Sequence, residues 1–355
     1  MKPNPKAFPL PELSPKEFWD SAFKKAQASR ALFEATLELT HGCNLRCVHC
    51  YHPTHVAGRG EMIKERITSL FKELREEGCF LLSLTGGEIF LRRDFFDLLK
   101  EAKEEGFAVI LKTNGTLLTE STVEQLQSLL PLEIELSLYG ATEKTYEKVT
   151  CVPGSFSRCI SGIERLVQRK IPLTLILPAM TLNVDEIEKM RAMARRWGVR
   201  AVCMSLIHPK ADGSLEPLAY RLDPERAIQI LKEPFLLSEH KPVGKETRRR
   251  WKGRMHCQAA QSSCFITAYG EMNFCAAFPF PKYNLLEGSI REGWRTLCGW
   301  FDAHAKEEAA DGNDPHPLYR GCPRDGWWEG DGLDAAVPYY EALVLAEERL
   351  ENTAP

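Results

Sequence analysis

Between about Phe33 and Pro234 the chain alternates short apolar runs with amphipathic stretches six times, and that alternation restricts the folds open to it. Residues 35–39, 80–84, 107–112, 132–138, 173–177 and 199–203 have the length and residue types of strands. Between the first two, Ile63, Ile67, Leu70, Phe71 and Leu74 recur at helical spacing. Residues 186–197 read as another helix, stopped by Gly198 where a C-cap glycine belongs. Strands separated by helical crossovers lie parallel, because a parallel return needs a dozen residues or more and a helix supplies them. Six such units are too few for a closed eight-fold barrel. The expected class is therefore α/β, with a parallel sheet. At 355 residues the chain exceeds what one growing core accommodates, so a smaller second domain is expected as well.

Cys43-Asn-Leu-Arg-Cys47-Val-His-Cys50 follows the first strand directly. Three thiolates are one short of the four that close a [4Fe-4S] cluster, so one iron would keep an open coordination position. An open position on a metal is where chemistry takes place, whereas a closed one is structural. A zinc knuckle or unpaired thiols are the alternative readings of the same residues. The start of the chain is broken by prolines and lacks the apolar stretch of a signal peptide. Twelve cysteines without an export signal argue against a disulfide framework, and the cytoplasm is the expected location. No apolar run is long enough to cross a membrane, and a net charge of −3 gives no general attraction to nucleic acid or lipid. Arg248 to Arg254 is basic and carries one tryptophan; it could touch RNA or an acidic peptide, or be plain solvated surface. A second group of cysteines, Cys257, Cys264, Cys275 and Cys322, suggests a second metal centre, either another cluster or a structural zinc. Of the rest, Cys79, Cys159, Cys203 and Cys298 read as small buried hydrophobes.

The C-x3-C-x2-C spacing resembles the signature of the radical S-adenosylmethionine (SAM) superfamily, with His49 at the aromatic position before the last cysteine. That resemblance implies a partial (β/α)6 barrel, similar to a TIM barrel, with Cys43, Cys47 and Cys50 holding a [4Fe-4S] cluster. It implies that Gly86, Gly87 and Glu88, in Thr85-Gly-Gly-Glu88, meet the SAM amino group. Thr113 and Asn114, in Thr113-Asn-Gly-Thr116, would stand at the barrel mouth, and Ser137 would contact the ribose or carboxylate. Asn183 is either a further SAM contact or a helix N-cap. Relatives often have Asp at the position of Tyr139 and glycine at that of Cys151. A thiol S–H is weak, so Cys151 could also give a hydrogen atom to a substrate radical. Cys257, Gly270 and Cys275 fit C-x12-G-x4-C, the opening of the SPASM and twitch domains, with a hairpin turning at Gly270. With Cys264 and Cys322 they would hold an auxiliary [4Fe-4S] cluster.

The expected organisation is an N-terminal extension (1–32), a barrel (33–235), a linker (236–255), a small C-terminal auxiliary-cluster domain (256–330) and a terminal helix (331–355). The first functional expectation is an enzyme that cleaves SAM to a 5′-deoxyadenosyl radical and modifies a ribosomally made peptide, by a thioether or carbon–carbon cross-link or by epimerisation. The second is a small-molecule dehydrogenase or decarboxylase in antibiotic or cofactor synthesis, and the third a non-enzymatic iron–sulfur electron carrier. Fewer than 35 residues precede the first strand, so a separate leader-recognition protein is expected, together with an external electron donor such as flavodoxin or ferredoxin.

Overall fold

A computed structural model of the chain describes residues 15–232, 259–276, 278, 280–304, 325, 328–329 and 337–352. Six parallel strands run side by side: β1 (Glu34–Glu38), β2 (Leu81–Thr85), β3 (Ala108–Thr113), β4 (Glu133–Ser137), β5 (Leu173–Pro178) and β6 (Arg200–Met204). Each falls within about one residue of its sequence expectation. Leu37 pairs with Leu84, Leu82 with Val109, Leu111 with Ile134 and Leu136 with Leu175, and all of these side chains are buried. Alternate residues face the barrel lumen, as the two-residue period of a strand requires.

The crossover helices lie on the outer face. Helix α2 (Lys64–Glu76) buries Ile67, Leu70, Phe71 and Leu74, and α3 (Phe95–Glu104) buries Phe95, Leu98, Leu99 and Ala102. Thr119 and Thr142 cap α4 (Glu120–Leu129) and α5 (Glu143–Thr150), each accepting from the backbone N–H three residues on. Helix α6 (Ser155–Gln168) approaches the turn after β3 so closely that a Cβ on Gly162 would lie 2.4 Å from the Gly115 carbonyl oxygen. Gly198 ends α7 (Ile187–Trp197) in the left-handed region, at φ 67°. The expected stop is thus realised. At the far end of the strands, Trp19 and Phe23 of α1 (Pro15–Ser29) pack on Phe33 and Phe80 and close the barrel floor.

The hairpin around Gly270 joins the barrel's own sheet. Strand β7 (Ser263–Ile266) pairs in parallel with β1, and β8 (Glu271–Asn273) and β9 (Tyr283–Asn284) follow antiparallel, giving the order β6-β5-β4-β3-β2-β1-β7-β8-β9. Gly270 turns at φ 81°, where a side chain would be strained. The helix Ile290–His304 then docks on α2, with the Ile290 N–H donating to Glu73 Oε2 at 2.9 Å. The helix Pro338–Asn352 packs on α8 (Pro224–Lys232). The expected linker at 236–255, the basic run 248–254, Cys257 and Cys322 lie outside the described residues.

Candidate active site

The C-terminal strand ends surround a cavity of about 510 Å³, a size usual for small-molecule sites. Every barrel strand contributes to its wall: Thr36, Thr85, Lys112, Ser137, Ile176 and Met204. Barrel enzymes place their sites at this end because loops from several strands converge there. Cys43, Cys47 and Cys50 line the same cavity, as do His49, Gly86, Gly87, Thr113 and Asn114, and Phe265 and Ala276 of the hairpin segment close one flank. The residues expected from the sequence are therefore brought together, with the exceptions given below.

The loop bearing the cysteines is tied down on both sides. Arg46 and Val48 donate backbone N–H groups to Thr150 and Val149 at the end of α5, at 2.9 and 3.0 Å. Gly87 and Glu88 donate theirs to Thr40 and Gly42, both at 2.8 Å. This contact explains the paired glycines. A Cβ on Gly86 would lie 2.4 Å from the Thr40 carbonyl oxygen, and one on Gly87 would lie 2.3 Å from that of Gly42. Burial pushes the Cys50 thiol up to about 11 and that of Cys47 well above its ordinary value, each reinforced by its neighbouring cysteines. A metal centre must displace those protons to bind. Three thiols carried by one loop and lining one cavity are a donor set that fits an iron–sulfur cluster with one iron left open.

The contacts of the thiols with Tyr139, Leu45 and Asn114 were not expected from the sequence. The Tyr139 hydroxyl bonds to Cys47 and also to Ser137, and burial pushes its own ionisation far up, so it stays a donor. The Leu45 N–H reaches Cys43 Sγ at 3.4 Å and the Asn114 amide approaches it at 3.9 Å. Hydrogen bonds to cluster sulfurs favour the reduced state. Tyr139→Phe is therefore expected to make the reduction potential of the front cluster more negative, as read by redox titration with EPR detection. An unchanged potential would show that the hydroxyl does not act on the thiolate. Lys112 and Glu135 were also missed; they pair across β3 and β4 inside the lumen and line the cavity. Their signal was present in the sequence, as charges at alternate positions of otherwise apolar strands.

Glu88, expected beside the ligand, lies behind the cavity wall. It accepts from the Thr113 hydroxyl and the Asn114 N–H, each at 2.8 Å, and is fully buried. Burial outweighs those hydrogen bonds and raises its carboxyl from 4.5 to about 7. The folded state thus holds a proton that the unfolded chain releases near pH 4.5. Stability from this group is complete below that pH and is lost as pH rises to about 7, by about 3 kcal/mol. Glu88→Gln is expected to flatten this part of the denaturant-unfolding profile, with the wild-type minus variant difference confined to that window.

Asn114 works chiefly as a lock: its amide donates to Asn44 Oδ1 at 3.0 Å, and Asn44 donates to the Thr116 hydroxyl at 2.8 Å. Asn183 does not line the cavity; it stands at the N-cap position of the short 3-10 turn Val184–Glu186, without a capping bond from its side chain. Its buried amide accepts from the Met180 N–H and donates to the Tyr139 and Pro178 carbonyls, fixing the turns after β4 and β5. His49 stands at the cavity with Nδ1 enclosed and unpartnered, and burial holds the ring neutral, pushed down to about 4. Cys151 is exposed at the left-handed end of α5, at φ 56°, close enough to act electrostatically on Cys47 but not among the cavity-lining residues. That backbone conformation is the reason glycine suits the position.

Cys264 does not face the cavity. Strand alternation turns it to the face of β7 opposite Phe265, into the apolar layer beside Cys79 and Glu34. Cys275 instead directly precedes the cavity residue Ala276. Among the described residues no helix is long and apolar enough to cross a membrane.

Residues 37–194 match the model of the radical SAM superfamily. An AdoMet-dependent heme synthase of Methanosarcina barkeri is 28% identical over 280 residues, 72% of this chain and 80% of that protein. The mycofactocin maturase MftC of Mycobacterium ulcerans is 25% identical over 341 residues, 88% of this chain and 90% of that one. Among solved structures, Streptococcus suis SuiB bound to its precursor peptide SuiA superposes with a TM-score of 0.61 at 16% identity, over 81% of this chain and 72% of that one, which establishes the shared fold.

Proposed function

We propose that this chain is a radical SAM enzyme, which the match of residues 37–194 to that superfamily's model supports, and that it modifies a peptide at the cavity between the barrel mouth and the hairpin. One observation carries the reading: three thiols, the paired glycines and a wall drawn from all six barrel strands share one cavity. The family implies a [4Fe-4S] cluster, for which Cys43, Cys47 and Cys50 are the ligands, and SAM, whose reductive cleavage on that cluster supplies a 5′-deoxyadenosyl radical for hydrogen abstraction. The protein's own work is positioning. Gly86 and Gly87 let backbone approach the bound molecule, Thr113 and Ser137 offer hydroxyls, and Tyr139 and Asn114 hold the thiolates. Phe265, Ile176 and Met204 present apolar surface that excludes water from a reactive centre. The peptide reading is supported by the maturase name of MftC and by the peptide complex of SuiB.

The auxiliary cluster belongs to the same proposal, with Cys275, Cys257 and Cys322 as its thiolates and Cys264 left in the core. Cys275, next to the cavity residue Ala276, would bring it near enough to serve as an electron acceptor for the oxidised product, while a flavodoxin or ferredoxin supplies the first electron. The similarity to a heme synthase over most of both chains favours a second reading, oxidation of a small tetrapyrrole. Reduced, reconstituted protein offered the peptide encoded beside its gene, or a heme precursor, should form 5′-deoxyadenosine faster with its own substrate. A mass change in the peptide supports the first reading, one in the tetrapyrrole the second. Acceleration by neither overturns both.

A further inference from the structure

Immediately beyond β1, a second set of donors converges beside the cysteine loop, and one of them, His52, also lines the cavity. Glu38 is 1% exposed, at the end of the strand. His41 Nε2 lies 3.2 Å from Glu38 Oε2, and His52 Nε2 lies 3.3 Å from Glu38 Oε1. The ligand atoms of the three residues all fall within 4.8 Å of one another. Two donors bound at about 2.0–2.1 Å to one tetrahedral ion are about 3.3 Å apart. Each imidazole stands at about that separation from one oxygen of the carboxylate, His41 from Oε2 and His52 from Oε1.

The orientation of His52 supplies an independent observation. This ring is 3% exposed, and its Nε2 is enclosed without a hydrogen-bond partner although the Glu38 carboxylate is its neighbour. Nε2 faces the Glu38 carboxylate at 3.3 Å with no aligned hydrogen bond between them, and a metal ion sits off the line joining its donors. The Tyr51 hydroxyl donates to Glu38 Oε1 at 2.7 Å, and the Glu61 carboxylate accepts the His41 backbone N–H at 2.8 Å, so both ligand-bearing segments are held from outside.

We propose that Glu38, His41 and His52 form a mononuclear site for a borderline divalent ion of the zinc class, separate from either iron–sulfur centre. Two imidazoles and one carboxylate are a donor set such ions accept, and three protein ligands leave a fourth position for water. The ion joins the end of β1 to the segment that follows Cys50, and so braces the cavity wall under Gly86. The site stands whether or not the substrate is a peptide.

The test uses anaerobically reconstituted holoprotein, passed over a chelating resin and equilibrated with zinc sulfate. Metal is counted by plasma mass spectrometry and the zinc environment is read by X-ray absorption. The expected result is one zinc per chain beyond the iron, with nitrogen and oxygen at about 2.0–2.1 Å and an imidazole outer shell. His41→Ala and His52→Ala should each weaken zinc binding at least tenfold while leaving the iron content unchanged. No retained zinc, a sulfur shell at about 2.3 Å, or unaltered affinity in both variants would overturn the site. If a variant fails to fold, the wild-type absorption spectrum decides alone.

Discussion

Gly87→Ala should cost this protein both stability and its hold on SAM. The added Cβ would meet the Gly42 carbonyl oxygen at 2.3 Å, its carbon at 2.7 Å and the His41 oxygen at 2.7 Å. All three are backbone atoms, so no side chain can swing aside. The end of β2 must separate from the cysteine loop, and the bonds from Gly87 to Thr40 and from Glu88 to Gly42 are lost or stretched. Overpacking of this kind costs about 1–3 kcal/mol, and each lost buried hydrogen bond about 1 kcal/mol more. The expected loss is about 3–5 kcal/mol, a large part of a domain's usual margin. A shift near 1 Å between the thiolates and the paired glycines should slow SAM cleavage about 10²-fold. Thermal unfolding and the initial rate of 5′-deoxyadenosine release measure the two effects. A variant with wild-type values in both would mean that the contact is not needed.

Cys47→Ala is expected to remove the front cluster altogether. Cys47 lies in electrostatic reach of both other thiols and takes the Tyr139 hydroxyl bond, and an alanine there leaves only two thiolates for the cluster. About four irons per chain should be lost relative to wild type, and SAM cleavage should fall to background. Cys275→Ala separates the two centres. It too should lower the iron content, yet spare part of the SAM cleavage while abolishing the modified product. Iron analysis of both variants, together with the deoxyadenosine assay, distinguishes them. Equal losses of cleavage in the two would argue against an auxiliary role for Cys275.

Much of the fold was legible because strand and helix periods are local. Residues 173–177 became β5 and 199–203 became β6 because apolar runs of that length, separated by a helix closed at Gly198, leave few alternatives. Gly270 announced its turn, although not that the hairpin would extend the barrel sheet through β7. The thiolates and paired glycines were legible for the same reason: their spacing within one segment carries the chemistry. What the spacing could not carry was direction. Glu88 follows the glycines, but the chain enters a short 3-10 turn there and sends the carboxylate inward to Thr113 and Asn114. Cys264 has the right neighbours in sequence and the wrong face of its strand. Tyr139 and Cys47, or Glu38 and His52, meet only through the fold, and no local pattern announces such pairs.

The central claim is that three thiolates leave one iron open and that SAM fills the position. Electron–nuclear double resonance of the reduced, reconstituted protein with SAM labelled at its carboxylate by ¹⁷O and at its amino group by ¹⁵N tests this directly. Hyperfine coupling of both labels to the front cluster is the result expected, absent in Cys47→Ala. A spectrum without coupling, from protein that holds both its iron and its SAM, would contradict the account.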